Sequence, residues 1–140
     1  MEGQYIALKL GHEEYAVDIL GVKEIIRLSH ITRVPKAPFF IQGVINLRGN
    51  VIPVINSHLR LGLQQIEMTE KSRIIIFNIE DTVVGFTVDE VIEVITLNDE
   101  MLEKPQMVEG NNKYIKNIGK MNDRLIMILD SDKLLDLSLI

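Results

Sequence analysis

Residues 43–56, GVINLRGNVIPVIN, are the stretch that decides the fold. Two apolar runs, residues 44–45 and 51–55, flank a polar turn at residues 46–50, and this pattern predicts a β-hairpin. Glycine and asparagine suit such a turn, but the turn does not need the side chain of Arg48. A solvated charge is the ordinary explanation. Alternatively, Arg48 binds a carboxylate through two parallel N–H donors, and Glu24, inside the apolar segment 19–26, is a candidate partner.

Further hairpins are predicted along the rest of the chain. The paired runs 5–10 with 14–19, 73–79 with 82–88, and 113–118 with 124–129 each flank a short polar turn. Residues 90–97 are typical of a strand, whereas residues 19–26 fit either a strand or a helical turn. Residues 56–63 and 130–137 predict short helices, the first capped by Asn56 or Ser57 and ended by Gly62. The pattern therefore indicates an all-β protein with two short helices.

An internal repeat divides the chain. Residues 41–63 align without a gap on residues 115–137, and nine of these 23 positions are apolar in both copies. Each half has about 60–70 residues, and a sheet of that size must close on itself to remove its edges. Small barrels are marginally stable alone. We therefore expect two small β-barrels packed through a shared apolar seam.

The composition excludes several classes of function. A net charge of −5, 5% aromatic residues and no tryptophan disfavour a nucleic-acid-binding protein. The absence of cysteine excludes disulfides, thiolate metal sites and a cysteine nucleophile. The first residues lack a signal-peptide pattern, and no apolar run approaches the length that spans a bilayer. These features predict a cytoplasmic protein with no direct membrane insertion.

No residue pattern for catalysis or metal binding stands out. His12, His30 and His58 do not have the spacing of metal ligands. Asp130 and Asp132 could hold a cation, but capping of a helix explains them better. Phosphate-binding loops and nucleophile elbows are also missing. We therefore expect no enzyme and no cofactor, but a protein that binds partners through strands that are apolar on both faces, such as residues 73–79.

Three segments resemble the CheW-like family of chemotaxis coupling proteins. They are EYAVDILGVKEII (14–26), ITRVPKAPFFIQGVINLRGNVIPVIN (31–56) and VVGFTVDEVIEVI (83–95), and the resemblance extends from Tyr5 to about Leu137. It implies a single CheW-like domain over residues 1–140, built of two SH3-like five-stranded β-barrels with short helices. Subdomain 1 is expected at about residues 14–72, and subdomain 2 at about residues 73–137 plus the N-terminal strand.

The resemblance also implies a function. Family members are non-enzymatic adaptors that couple the cytoplasmic tip of methyl-accepting chemoreceptors to the regulatory domain of the histidine kinase CheA, in arrays at the inner face of the membrane. Pairing of Arg48 with Glu24 would order the receptor-binding groove. Carried over from the family, the expected receptor-binding positions are Val22, Glu24, Ile25, Gly43, Arg48, Gly49 and Val94.

Three other interpretations stay open at this point. The chain could be a detached kinase regulatory domain of the same fold, although it has no ATP-binding or phosphotransfer segment. It could be a small nucleic-acid-binding barrel, against which the net charge of −5 argues. It could also be a hydrolase, but no nucleophile and base stand in a recognisable arrangement.

Overall fold

Strands account for most of the chain in the computed structural model, which describes residues 2–105 and 112–137. Two α-helices, α1 (Ser57–Leu61) and α2 (Ser131–Leu134), and 3₁₀ turns at Asp99–Met101 and Asn112–Tyr114 join them. The predicted hairpins are confirmed, and the ambiguous segment 19–26 is a strand from Val22 onward. The strands within the described ranges are β1 (Glu2–Leu10), β2 (Glu13–Asp18), β3 (Val22–Arg27), β4 (Ile41–Leu47), β5 (Asn50–Ile55), β6 (Arg73–Ile79), β7 (Thr82–Val88), β8 (Glu90–Asn98), β9 (Leu102–Glu103), β10 (Ile115–Met121) and β11 (Arg124–Leu129).

The strands form two separate sheets. One has the order β3-β6-β7-β5-β4 and is called barrel 1; the other has the order β8-β1-β2-β11-β10-β9 and is called barrel 2. In barrel 1, Thr32 follows the edge strand β3 and exchanges two 2.8 Å hydrogen bonds with Val44 on the opposite edge strand, β4. In barrel 2, β9 continues β8 after a single 3₁₀ turn and pairs with β10. Both sheets therefore return on themselves, and the predicted all-β class with two small barrels is confirmed.

Sheet membership corrects the expected division of the chain after residue 72. Strands β6 and β7, expected in subdomain 2, belong to barrel 1, and both β1 and β2, rather than the first strand alone, belong to barrel 2. Strand β2 of the β1–β2 hairpin pairs in parallel with β11, just as β7 of the β6–β7 hairpin pairs in parallel with β5. All hairpins have similar local patterns, so only these long-range pairings decide which hairpin completes which barrel.

The internal repeat has a structural counterpart. The elements β4, β5 and α1 begin at residues 41, 50 and 57, and β10, β11 and α2 begin at residues 115, 124 and 131, each a shift of 74. The same shift relates two 2.8 Å backbone bonds, from the N–H of Asn56 to the carbonyl of Phe40 and from the N–H of Asp130 to the carbonyl of Tyr114. The predicted repeat of residues 41–63 and 115–137 is therefore confirmed.

Side-chain caps start both helices. The Oδ1 atom of Asn56 accepts the N–H of Leu59 at 3.1 Å, and Oδ1 of Asp130 accepts the N–H of Lys133 at 3.2 Å. Gly62 ends α1 in a left-handed conformation with φ 70°. The interpretation of Asp130 as a helix cap is confirmed.

A shared core joins the two barrels, as the size argument predicted. Within the described residues, one large cluster of buried side chains contains strands of both sheets, such as Leu8 and Val17 of barrel 2 with Phe77 and Phe86 of barrel 1. Each barrel adds a smaller cluster of its own. Burying apolar surface in this seam supplies stability that a single small barrel lacks.

One buried cation crosses the seam. Arg60 on α1 is only 5% exposed, and its guanidinium lies 4.0 Å from the centre of the Phe40 ring and 5.2 Å from that of Tyr114. Its Nε donates to the carbonyl of Leu134 at 3.0 Å, and Nη2 donates to the carbonyls of Lys133 at 3.2 Å and Asp136 at 2.6 Å. A single side chain of barrel 1 thus binds the last two carbonyls of α2 and one carbonyl just beyond that helix.

Candidate protein-binding face

The turn between β4 and β5 displays Arg48. Leu47 pairs with Asn50, which leaves Arg48 and Gly49 as a two-residue loop with φ values of 51° and 87°. Two successive positive φ values define a type I′ turn, whose twist suits a β-hairpin. The N–H of Gly49 donates to Oδ1 of Asn46 at 3.0 Å, which braces the loop. Arg48 therefore projects from a well-defined turn.

The turn itself does not require arginine. A left-handed conformation costs an ordinary side chain about 1 kcal/mol relative to glycine, whereas asparagine tolerates it. At the equivalent turn of barrel 2, 74 residues later, the chain has Asn122 with φ 57°. Because the repeat uses the favourable residue at the same position, the arginine in barrel 1 is better explained by what its side chain contacts.

That side chain contacts Glu24. Nη2 of Arg48 donates to Oε2 of Glu24 on β3, and the two side chains are 64% and 27% exposed. The predicted pairing is confirmed, and the alternative of a free solvated charge is wrong. An ion pair this exposed contributes only about 0–1 kcal/mol to stability, so its main effect is to hold the orientation of two charged groups beside β3.

Strand β3 carries two further predicted positions, Val22 and Ile25, beside Glu24. A register shift between Val22 and Glu24 interrupts the pairing of β3 with β6, so that strict alternation of side chains breaks at this point. Val22 is half-buried and packs against the main core, whereas Ile25 is 39% exposed. Glu24 pairs with Ile76 and Ile25 pairs with Ile75 in regular register, so the side chains of Glu24 and Ile25 leave opposite faces of β3, and that of Glu24 contacts Arg48.

The two predicted glycines have different surroundings. Gly49 lies in the turn, where a Cβ atom would meet nothing within 4 Å, so its positive φ explains the glycine. Gly43 is buried, and a Cβ atom there would lie 2.2 Å from the carbonyl oxygen of Thr32. Gly43 therefore permits the close backbone approach that joins β4 to the segment after β3.

Val94, the last predicted position, lies on the other barrel. It is on β8, opposite Ile6, and is 53% exposed. Glu93 follows Glu24 by 69 residues and its partner Ala7 precedes Ile76 by 69 residues, so the pairs Glu24–Ile76 and Glu93–Ala7 are equivalent, and Val94 is the barrel 2 equivalent of Ile25. The structure thus brings Glu24, Arg48 and Gly49 together on barrel 1, places Ile25 on the opposite face of β3, and places Val94 at the position of barrel 2 that corresponds to Ile25.

Sequence reasoning missed an ion-pair network on barrel 2. Arg124 donates to Glu14 from Nε at 3.2 Å and from Nη2 at 2.6 Å, and to Glu93 from Nη1 at 2.7 Å. Hydrogen bonding to Glu14, and then to Glu93, raises the pKa of Arg124 above its usual range. Glu93 is the equivalent of Glu24, so in each barrel the glutamate at this position binds an arginine. The shift of 69 was the signal that could have revealed it.

Two exposed aliphatic residues were also missed. Val51 on β5 is 69% exposed and Leu125 on β11 is 62% exposed, at positions 74 residues apart. Val51 and Arg48 both line a cavity of about 290 Å³, so Val51 places an exposed apolar side chain beside Arg48. Comparison of the two repeat copies could have identified this pair, because both copies have an apolar residue there.

A buried histidine also has an unpredicted partner. Nε2 of His58 lies 3.0 Å from Oδ2 of Asp89, which also accepts the N–H of Gly11 at 2.7 Å. Asp89 connects barrel 1 to barrel 2, so these bonds join three segments at the seam.

Among the described residues, no group of three or more histidine, aspartate or glutamate side chains could hold a metal ion. None of the described helices is long and apolar enough to cross a membrane.

Comparisons with known proteins agree with this architecture. The model of the CheW-like domain matches residues 4–138. The chain is 40% identical over 133 residues to the chemotaxis protein CheW of Bacillus subtilis, covering 94% of this chain and 85% of that protein. It is 37% identical over 133 residues to CheW of Helicobacter pylori, covering 94% of this chain and 81% of that protein.

A solved structure shares the fold. The crystal structure of the scaffolding protein TtCheW from Thermoanaerobacter tengcongensis matches with a TM-score of 0.88 and 35% identity, over 97% of this chain and 89% of that chain. This likeness confirms the SH3-like character of the two barrels. Because the family model covers residues 4–138 and these relatives are at least 35% identical, the chain belongs to the CheW-like family of chemotaxis proteins.

Proposed function

We propose that the chain is a non-enzymatic adaptor that couples the cytoplasmic tip of methyl-accepting chemoreceptors to the regulatory domain of the histidine kinase CheA. It acts in the cytoplasm at receptor arrays, without a cofactor. The observation that carries the proposal is the face around the Arg48–Glu24 pair, in a chain of the CheW-like family. This face combines exposed apolar side chains with an ordered pair of charges, which suits the binding of another protein rather than a reaction.

The receptor partner is an amphipathic helix that lays its apolar stripe on this face. Val22, Ile25 and Val94 supply apolar contact area, and Gly49 leaves room for close approach, while Gly43 acts indirectly by holding the segment after β3 against β4. Glu24 and Arg48 set the orientation of the helix more than its affinity, because exposed ion pairs are weak. Many such contacts combine in an array, so modest individual affinities suffice.

Exchanging the two charges tests the proposal. We expect Glu24→Arg alone, or Arg48→Glu alone, to weaken binding of a purified receptor-tip fragment about tenfold, because like charges then repel across the face, and a tenfold change is ~1.4 kcal/mol. The double exchange restores the pair in reverse and should bind within about threefold of the wild type. Binding would be measured by isothermal titration calorimetry.

Lys71→Glu is the control for the single exchanges, since Lys71 is exposed in the connector between α1 and β6. It should bind the receptor fragment like the wild type. Single exchanges that bind as tightly as the wild type, and that still activate the kinase, would remove Glu24 and Arg48 from the proposed site.

Replacing the turn arginine should separate stability from function. We expect Arg48→Asn to raise the free energy of unfolding by about 0.5–1 kcal/mol, because asparagine tolerates positive φ, while receptor binding weakens. Urea denaturation measures the first effect. The matched control is Asn122→Arg at the equivalent turn of barrel 2, where φ is 57°; it should lower stability by a similar amount. A destabilised Arg48→Asn variant would contradict the argument.

A further inference from the structure

An exposed aromatic side chain stands apart from the proposed receptor face. Phe39 is 74% exposed, and its ring stands edge-on against the buried ring of Phe40, with centroids 5.5 Å apart. Val34, in the same loop, is 39% exposed. Phenylalanine is enriched in protein interfaces, and leaving so much of it in water is unfavourable for an unbound protein. Arg33, Val34, Lys36 and Phe39 are together called the Phe39 surface.

The charge of this surface is opposite to that of the whole protein. A cavity of about 360 Å³ is lined by residues that include Arg33, Lys36 and Phe39. Among the residues that the structure describes, no aspartate or glutamate lines it. Both cations are exposed, and neither forms an ion pair with a described residue. In a chain of net charge −5, two unpaired cations beside exposed apolar groups favour an acidic partner. The same net charge disfavours a membrane or a nucleic acid as that partner.

The loop that carries the Phe39 surface has a constrained backbone. Pro35 and Pro38 restrict their own φ angles and those of the residues before them. The N–H of Ala37 donates to the carbonyl of Val34 at 3.4 Å, and the N–H of Ile41 to that of Pro38 at 3.0 Å. Lys36, between the prolines, has a positive φ of 64°. Such a loop loses little conformational entropy on binding.

The position of the loop separates it from the receptor face. Phe39 lies just before β4, and Arg48 lies just after it. A strand rises about 3.3 Å per residue, so the seven residues of β4 hold the two surfaces roughly 20 Å apart. Partners at the two ends of β4 can therefore be bound at the same time, which an adaptor between two proteins requires.

We propose that the Phe39 surface docks an acidic segment of the kinase regulatory domain, with an apolar side chain of that segment against Phe39. The inference rests on the proposed function, since it assigns the second partner of the adaptor to a surface at the far end of β4. Arg33 and Lys36 supply the charge complementarity, and Phe39 and Val34 supply the apolar contact.

The test measures binding of two purified fragments, the kinase regulatory domain and the receptor tip, to immobilised full-length protein by biolayer interferometry. We expect Phe39→Ser, and separately Arg33→Glu combined with Lys36→Glu, to weaken binding of the kinase domain at least tenfold. Both variants should bind the receptor tip within twofold of the wild type. Wild-type binding of the kinase domain should weaken with added salt. Because all three side chains are exposed, the variants should fold normally, and thermal unfolding checks this.

Matched variants control for charge and for apolar exposure. Lys71→Glu combined with Lys116→Glu makes the same charge change at exposed positions elsewhere, and Leu125→Ser removes an exposed aliphatic side chain that is 62% accessible on barrel 2. Both should leave kinase binding within twofold of the wild type. Similar losses in these controls would overturn the proposal, because the effect would then not belong to the Phe39 surface.

The outcomes distinguish this inference from the proposed function. If the wild type binds both fragments and the Phe39-surface variants bind the kinase domain equally well, the inference fails and the adaptor function stands. If the variants lose the receptor tip as well, the claim of two separate surfaces is overturned. If the wild type binds neither fragment, the proposed function itself fails. Binding of anionic lipid vesicles, lost in the same variants while kinase binding persists, would assign the surface to a membrane instead.

Discussion

Arg60→Ala should lower the free energy of unfolding by about 3–5 kcal/mol. The side chain is buried at 5% exposure and donates to the carbonyls of Lys133, Leu134 and Asp136. Removing it takes a donor from each of these carbonyls, although that of Lys133 also accepts the N–H of Asp136 at 3.4 Å, and a donor lost in a buried position costs more than one lost at the surface. It also removes the cation from between the rings of Phe40 and Tyr114. Urea denaturation followed by circular dichroism measures the change.

Arg73→Ala is the matched control for this prediction. Arg73 also donates to main-chain carbonyls, those of Glu70 and Ser72, but these lie three and one residues before it in the adjoining loop. Water can replace such bonds, so we expect Arg73→Ala to lower the free energy of unfolding by about 1 kcal/mol or less. Arg60→Lys keeps the charge but lacks the planar guanidinium group, and should lose most of the stability that Arg60 contributes. An Arg60→Ala variant no less stable than Arg73→Ala would show that the seam does not depend on this cation.

Gly43→Val should destabilise barrel 1 by at least about 3 kcal/mol, through steric overlap and the loss of two hydrogen bonds. A Cβ atom at Gly43 would lie 2.2 Å from the carbonyl oxygen of Thr32 and 2.8 Å from its carbonyl carbon. These are backbone atoms, so the loop must move, and the two 2.8 Å bonds between Thr32 and Val44 would break. Thermal unfolding monitored by calorimetry would show the loss as a lower Tm.

Gly119→Ala provides the comparison, because Gly119 is also buried in a strand, but the nearest atom to an added Cβ belongs to a side chain rather than to the backbone. A Cβ atom there would first meet the Cδ1 of Leu97 at 3.1 Å, the end of a side chain that can adjust. We therefore expect a cost of about 1 kcal/mol. If Gly43→Val unfolds at the wild-type temperature, the close approach to Thr32 does not matter for the fold, and any loss of receptor binding belongs to the site itself.

The 74-residue repeat shows which features of the fold follow from local sequence patterns. The strands β4 and β5 and helix α1 recur at the predicted shift as β10, β11 and α2, because alternation, turn residues and helix caps act within a few residues. The pairing of Arg48 with Glu24 could be proposed from their positions in apolar segments, and it is confirmed. The Arg124 network escaped prediction, since Arg124 and Glu14 are 110 residues apart and neither segment has an unusual local pattern.

By itself the sequence determined the strands, the two capped helices and the existence of two similar barrels with an apolar seam. These features follow from short-range periodicity and from the need of small sheets to close. Only the tertiary structure decided that the β1–β2 hairpin completes barrel 2, and that Arg60 spans the seam to carbonyls about 74 residues away. Such pairings are selected by the packing of the whole chain, because hairpins with similar local patterns compete for the same sheet edge.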